Sequence, residues 1–211
     1  MAEKRTIHLV DDEDSIRRSA GFMLRTAGFE VETYASGVDF LKVAQHVAPG
    51  CILLDVRMPG MDGLEVQARL RDSGVALPVI VLTGHGDVGI AVRAMKGGAI
   101  DFIEKPFEKA ELLAAIAAAM AWLDTADQRL DEGAEAKVRI AALTGRERDV
   151  LEGLARGLPN KTIAYDLEIS PRTVEVHRAN LMSKLDVRSL SEALRLAFAA
   201  GLPHDPPSSS T

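Results

Sequence analysis

The chain has 211 residues, 47% of them apolar and 27% charged, with a formal net charge of −6. That length holds one large domain or two small ones, and the apolar fraction can fill their cores, which excludes wholesale disorder. The uncharged runs Ser73–Gly86 and Leu112–Leu123 are interrupted or too short to cross a bilayer, and no apolar stretch precedes the acidic cluster near the N-terminus, so neither a membrane span nor a signal peptide is expected.

From the N-terminus, Thr6–Val10 reads as a strand ending in Asp11, Asp12, Glu13 and Asp14. Ile16, Ala20, Met23, Leu24 and Ala27 recur at helical spacing until Gly28. Val31–Tyr34 reads as a strand, Gly37–Val47 as a helix, and Cys51–Leu54 as an apolar strand ending in Asp55. The turn Met58–Gly63 leads into a helix to about Arg71. Pro78–Leu82 is a further strand, ending in Thr83, and Asp87–Lys96 a helix. Ala99–Ile103 is the fifth strand, followed by Glu104-Lys105-Pro106 and a helix from about Glu108. The central strands lack polar alternation, as in a parallel sheet buried by helices on both faces. The expected fold is an α/β doubly wound five-stranded parallel sheet, followed by a small all-α domain.

Charge divides the chain. Residues 1–123 carry 13 basic and 17 acidic residues, residues 124–136 one and five, and residues 137–201 eleven and eight. Only the last stretch is basic, which keeps nucleic acid in play there alone. Cys51 has no partner for an internal disulfide and fits a reducing cytoplasm, the five histidines are too scattered for a structural zinc site, and 4% aromatics are too few for base-stacking platforms.

Ligands of open parallel sheets bind at the carboxyl ends of the strands. There the sequence sets Asp11 and Asp12, Asp55, Thr83 and Lys105. Carboxylates so gathered repel unless a cation sits among them, and Mg²⁺ is satisfied by a few oxygens plus water. A remaining carboxylate is a nucleophile able to take a phosphoryl group as an acyl phosphate, and Asp55, alone on a central strand, is the candidate. Each residue singly has an ordinary reading, since Asp and Thr are common at strand ends; the set at matched positions is harder to reach by chance. Asp14 and Asp62 read as cap and turn residues, Asp101 as solvent-facing and Asp87 as helix-starting. No dinucleotide-binding or P-loop glycine pattern is present.

The stretches HLVDDED, ILLDVRMPGMDGLE, VIVLTGHGD and GAIDFIEKPF make residues 1–123 resemble the receiver domain of two-component response regulators. The resemblance implies a flavodoxin-like strand order and Mg²⁺ held by Asp11, Asp12, Asp55 and the backbone carbonyl of Arg57. It also implies phosphorylation of Asp55 by a sensor histidine kinase, Thr83 as switch hydroxyl, Lys105 as the phosphate's ion pair and Phe102 as switch aromatic.

Residues 124–142 read as a linker, either a helix running on from the receiver and broken near Gly133 or a plain flexible joint; Trp122 reads as packing at the boundary. Beyond it, Thr144 and Glu147 form a capping box opening a helix that Gly157 ends. Asn160–Leu167 is a second helix, Ser170 and Pro171 start a third over Thr173–Leu185, and Ser189–Phe198 is a fourth. Two helices joined by a short turn read as a helix-turn-helix, with the third helix toward base edges. Arg172, Thr173, Glu175, Val176 and Ala179 are base-reading candidates; Lys161, Arg178, Asn180, Lys184 and Arg188 can reach phosphates or groove edges. On spacing alone, a protein-binding helical bundle stays open.

The stretch from LTGRERDVLEGLARG to KLDVRS resembles the DNA-binding module of LuxR-type (FixJ/NarL) transcription factors, over residues 143–201. That implies a homodimer formed on phosphorylation through Leu190 and Leu194, promoter DNA and RNA polymerase as partners, and no membrane. Within the family the sequence is nearest the branch that activates nitrogen-fixation genes. Residues 202–211 read as a disordered tail. Two other functions share parts of this pattern. A Mg²⁺-dependent aspartyl-phosphate phosphatase needs a second Asp two residues after the nucleophile, where Arg57 stands. A DNA-binding protein with an inert receiver would form no phosphoryl adduct.

Overall fold

Apolar runs without polar alternation form the centre of the sheet. In this computed structural model, which describes residues 5–84, 88–124 and 132–202, β1 (Thr6–Val10), β3 (Gly50–Asp55) and β4 (Val79–Thr83) are buried along their whole length. The outer strands β2 (Glu30–Tyr34) and β5 (Asp101–Glu104) are partly exposed. All pairings are parallel, in the order β2-β1-β3-β4-β5. The helices are α1 (Asp14–Thr26), α2 (Gly37–Val43), α3 (Gly63–Asp72), α4 (Val88–Lys96) and α5 (Lys109–Asp124), then α6 (Glu132–Ala141), α7 (Gly145–Ala155), α8 (Asn160–Asp166), α9 (Pro171–Lys184) and α10 (Leu190–Ala199).

Two compact units result. The sheet with α1–α3 and α5 forms one; α4 groups by its contacts with α6–α10 in the other. In the first, Leu9, Leu53, Ile80 and Leu82 of the sheet meet Leu24 of α1 and Leu112 and Ile116 of α5. Trp122 packs against this core, as expected. Cys51 lies inside it, where burial pushes its thiol up to about 12.

Several ends differ from the sequence reading. Helix α2 stops at Val43 rather than Val47; Ser36 caps its start by accepting from Asp39 N. Asp62 caps α3, but Asp14 is the first residue of α1 and pairs with Arg17 and Arg18 instead of capping. Asp101 is half-buried rather than solvent-facing, its Oδ1 accepting from Phe102 N at 2.8 Å. Gly133 lies inside the first turn of α6, which starts at Glu132; residues 125–131, where the sequence runs the helix on, and Asp87 are outside the described residues. Leu202, placed in the tail by the sequence, is buried, and its N–H donates to Ala197 O at 2.8 Å; residues 203–211 are outside the described residues.

In the second unit α7 packs against α8, α9 and α10, and α8 against α9, through Val150, Leu151, Leu154, Ile163, Val174, Leu181 and Leu194. The capping box at the start of α7 forms as read: Thr144 N donates to Glu147 Oε2 at 2.8 Å, and Glu147 N to Thr144 Oγ1 at 3.4 Å. The same Glu147 oxygen accepts from Lys184 Nζ at 2.7 Å, so one buried carboxylate ties the start of α7 to the end of α9. The Lys184 hydrogen bond, aided by the backbone of Thr144, brings the Glu147 carboxyl down from 4.5 to about 2. A lowered carboxyl stabilises the fold above its ordinary pKa and ceases to do so as pH falls toward the lowered one. Glu147→Ala should therefore cost the second unit about 1 kcal/mol, discounted for the exposure of Lys184. It should also flatten the stability loss between pH 4.5 and about 2. Hydrogen exchange at α7 amides across that pH range measures both.

Candidate functional site

The parallel sheet brings its strand ends together. β1 delivers Asp11 and Asp12, β3 ends in Asp55 and β4 in Thr83; Asp55 sits in register with Leu82, and Thr83 with Glu104, so Lys105 follows directly beside them. Asp11, Asp55 and Thr83 are buried and Asp12 is half-buried. One oxygen from each of Asp11, Asp12 and Asp55 falls within 4.8 Å of the others. The loop after β3 is pinned by Gly63, whose N–H donates to Val56 O at 2.8 Å. A Cβ there would stand 2.1 Å from the Asp55 carbonyl oxygen, so a side chain at 63 would displace Asp55.

The cation among these carboxylates is Lys105. Its Nζ lies 2.6 Å from Asp11 Oδ2 and 2.7 Å from Asp55 Oδ1. Asp11 Oδ1 is taken by the Glu13 N–H at 2.8 Å. Burial raises the Asp55 carboxyl above its ordinary value; Lys105 pulls it down and Asp11 and Asp12 push it up, leaving it raised. For Lys105, burial alone would lower the ammonium, but its hydrogen bonds to Asp11 and Asp55 outweigh burial and the net shift is upward. The donor set is oxygen only, without Cys or His, which suits Mg²⁺ rather than zinc. The sequence pairs Lys105 with a phosphate; in the structure it already engages Asp11 and Asp55. Arg57 follows the loop with an exposed side chain, and Phe102 is half-buried on β5 opposite Val81.

The second constellation is carried by α8 and α9. Ser170 caps α9 by accepting from Thr173 N, with Pro171 at its first position, and Val174, Leu181 and Leu185 face inward. Arg172, Glu175, Val176, Ala179 and Asn180 are exposed together on α9, Val176 to 53%. Thr173 is half-buried, its hydroxyl 2.8 Å from Ser170 Oγ. Lys161 and Arg188 are exposed, while Arg178 donates to Asn160 Oδ1 at 3.0 Å. Two expectations are corrected. Lys184 is held by Glu147 instead of standing free for a phosphate. Leu194 is fully buried within its own unit, so of the pair read as a dimer surface only Leu190, half-buried, has surface to offer. The periodicity of α9 gave no sign of Glu147, because that contact joins residues 37 positions apart.

Comparison with known proteins finds a family match on each part of the chain. Residues 7–117 match the response regulator receiver domain, and residues 141–197 match the luxR family of bacterial regulatory proteins. The chain is 49% identical to the transcriptional regulatory protein FixJ of Rhizobium meliloti, over 93% of this chain and 96% of that one. It is 50% identical to FixJ of Azorhizobium caulinodans over 96% of each. Its structure is similar to full-length FixJ from B. japonicum, with a TM-score of 0.57, 44% identity, and coverage of 95% of this chain and 99% of that one.

Two outcomes follow from the geometry. Saturating Mg²⁺ should raise the melting temperature of the sheet unit, by about 2.7 kcal/mol of stability at a hundredfold excess over the dissociation constant. Asp12→Ala should remove most of that gain; calorimetry with and without the metal measures it. On α9, Val176→Ala should cost about 1–3 kcal/mol of selectivity at one base pair and leave the salt slope unchanged. Lys161→Ala should weaken specific and scrambled duplexes alike and reduce the salt slope by about one. Titrations at several salt concentrations separate the two.

Proposed function

Since the chain belongs to the response regulators that join a receiver domain to a LuxR-type DNA-binding domain, we propose that it is a transcriptional activator switched by phosphorylation of Asp55. It is a phosphorylation-dependent transcription regulator and not an enzyme; the relatives it matches are transcriptional regulatory proteins. The observation that carries the site assignment is the contact of Lys105 with both Asp11 and Asp55 inside the three-carboxylate cluster.

Asp11, Asp12 and Asp55, with the backbone carbonyl of Arg57, would hold Mg²⁺. When bound, the metal withdraws charge from phosphoryl oxygens and screens the carboxylates from the incoming anion. Asp55 Oδ1 is held by Lys105, so Oδ2 is the oxygen free to attack. The new O–P bond forms as the N–P bond of the kinase's phosphohistidine breaks, and the imidazole nitrogen leaves with the electron pair. Lys105 then exchanges a carboxylate for the phosphoryl oxygens, Thr83 turns its hydroxyl toward them, and Phe102 moves into the space Thr83 vacates. The altered face supports a homodimer on two half-sites, with Leu190 at the contact and Arg172, Thr173, Glu175 and Val176 at base edges. The likeness to rhizobial FixJ supports nitrogen-fixation genes as targets, with RNA polymerase as the recipient of activation. No helix among the described residues is long and apolar enough to cross a membrane.

Asp55→Asn keeps the shape and removes the nucleophile. Incubated with acetyl phosphate and Mg²⁺, the protein should gain one phosphoryl group by intact mass and Asp55→Asn none, with its fold unchanged. Rapid multiple turnover would instead point to a phosphatase, and a dominant phosphopeptide lacking Asp55 would overturn the assignment.

A further inference from the structure

Within the C-terminal unit, α7 and α8 leave a cleft of about 230 Å³ between them. Its floor is apolar, with Ile163 buried and Leu167 half-buried. The cleft depends on a close approach at Gly153, where a Cβ would stand 2.8 Å from Ile163 Cγ1. No residue of α9 lines it, so DNA on the recognition helix leaves it open.

The charge of the rim selects the occupant. Residues 137–201 carry eleven basic and eight acidic residues, the balance a DNA-binding module needs, yet Asp149, Glu152 and Asp166 line this cleft against one lining base, Arg156, with Arg146 beside Asp149. A phosphate backbone is repelled by such a rim, and a basic protein segment is attracted. Arg156 lies 3.6 Å from Glu152, and Arg146 lies 3.6 Å from Asp149. Asp166 has no ion pair among the described residues. Beside it on α8, Tyr165 is 84% exposed, an aromatic of the kind that anchors protein interfaces. The volume suits one aliphatic side chain, flanked by cations for the rim.

We propose that this cleft docks a basic segment of RNA polymerase carrying an aliphatic anchor, and is the contact through which the DNA-bound protein activates transcription. The assignment rests on the activator reading above. It places the protein–protein surface on α7 and α8, apart from the residues of α9 that would meet DNA.

The test is transcription in vitro by purified RNA polymerase holoenzyme, with the full chain phosphorylated by acetyl phosphate. The template carries a promoter selected by sequencing the fragments that the phosphorylated protein binds, and footprinting in the same reactions reads DNA occupancy. Asp166→Lys should keep occupancy and lose transcript about fivefold or more, the effect of roughly 1 kcal/mol at the contact. The isosteric Asp166→Asn, which disturbs no packing, should lose less in the same direction. Full transcript from both variants at equal occupancy overturns the proposal. Occupancy falling in step with transcript in Asp166→Asn also overturns it, because the rim would then serve DNA binding or folding. A wild-type protein that occupies promoters without raising transcript removes the activator reading and this contact with it, an outcome distinct from loss in the variants alone.

Discussion

Repulsion among Asp11, Asp12 and Asp55 is the constraint around which the N-terminal unit is organised. Three carboxylates within 4.8 Å of one another, two of them buried, are not tolerated in a low-dielectric setting without positive charge. Lys105 supplies it from the end of β5, and it can do so only because β1, β3 and β5 run parallel and end at one edge. The core under the edge serves the same end: fully buried Leu9, Leu53 and Leu82 hold the strands in register, and register fixes where the carboxylates stop. The site is thus held in tension: burial pushes the Asp55 carboxyl up, and Lys105, which an incoming phosphoryl group can also claim, pulls it back down.

The C-terminal unit solves a similar problem on a smaller scale. Glu147 is buried at a helix start, where orphan N–H groups welcome a carboxylate, and Lys184 reaches it from the far end of α9. That pair orients the proposed recognition helix against its scaffold.

Much of this was legible in the sequence, for identifiable reasons. The strands announced themselves as apolar runs cut off by Asp55 and Thr83, and topology then dictated that their ends meet. Thr144 and Glu147, and Ser170 with Pro171, are local signals, and the structure realises each. What failed to show were contacts between residues far apart in sequence. Lys105 on Asp11 spans 94 positions and Lys184 on Glu147 spans 37; no periodicity encodes either. The burial of Leu194 was missed for a related reason: a helix with two apolar faces does not say which one is the core.

Cys51, the one thiol of the chain, has a bearing on signalling. It is enclosed on β3 between the sheet and its covering helices, and its pKa of about 12 leaves almost no thiolate at neutral pH. Oxidants attack thiolates, and only those they can reach. Sulfenylation, glutathionylation and disulfide cross-linking between copies are therefore closed to the folded chain. Its output is insulated from the redox state of its surroundings at this position.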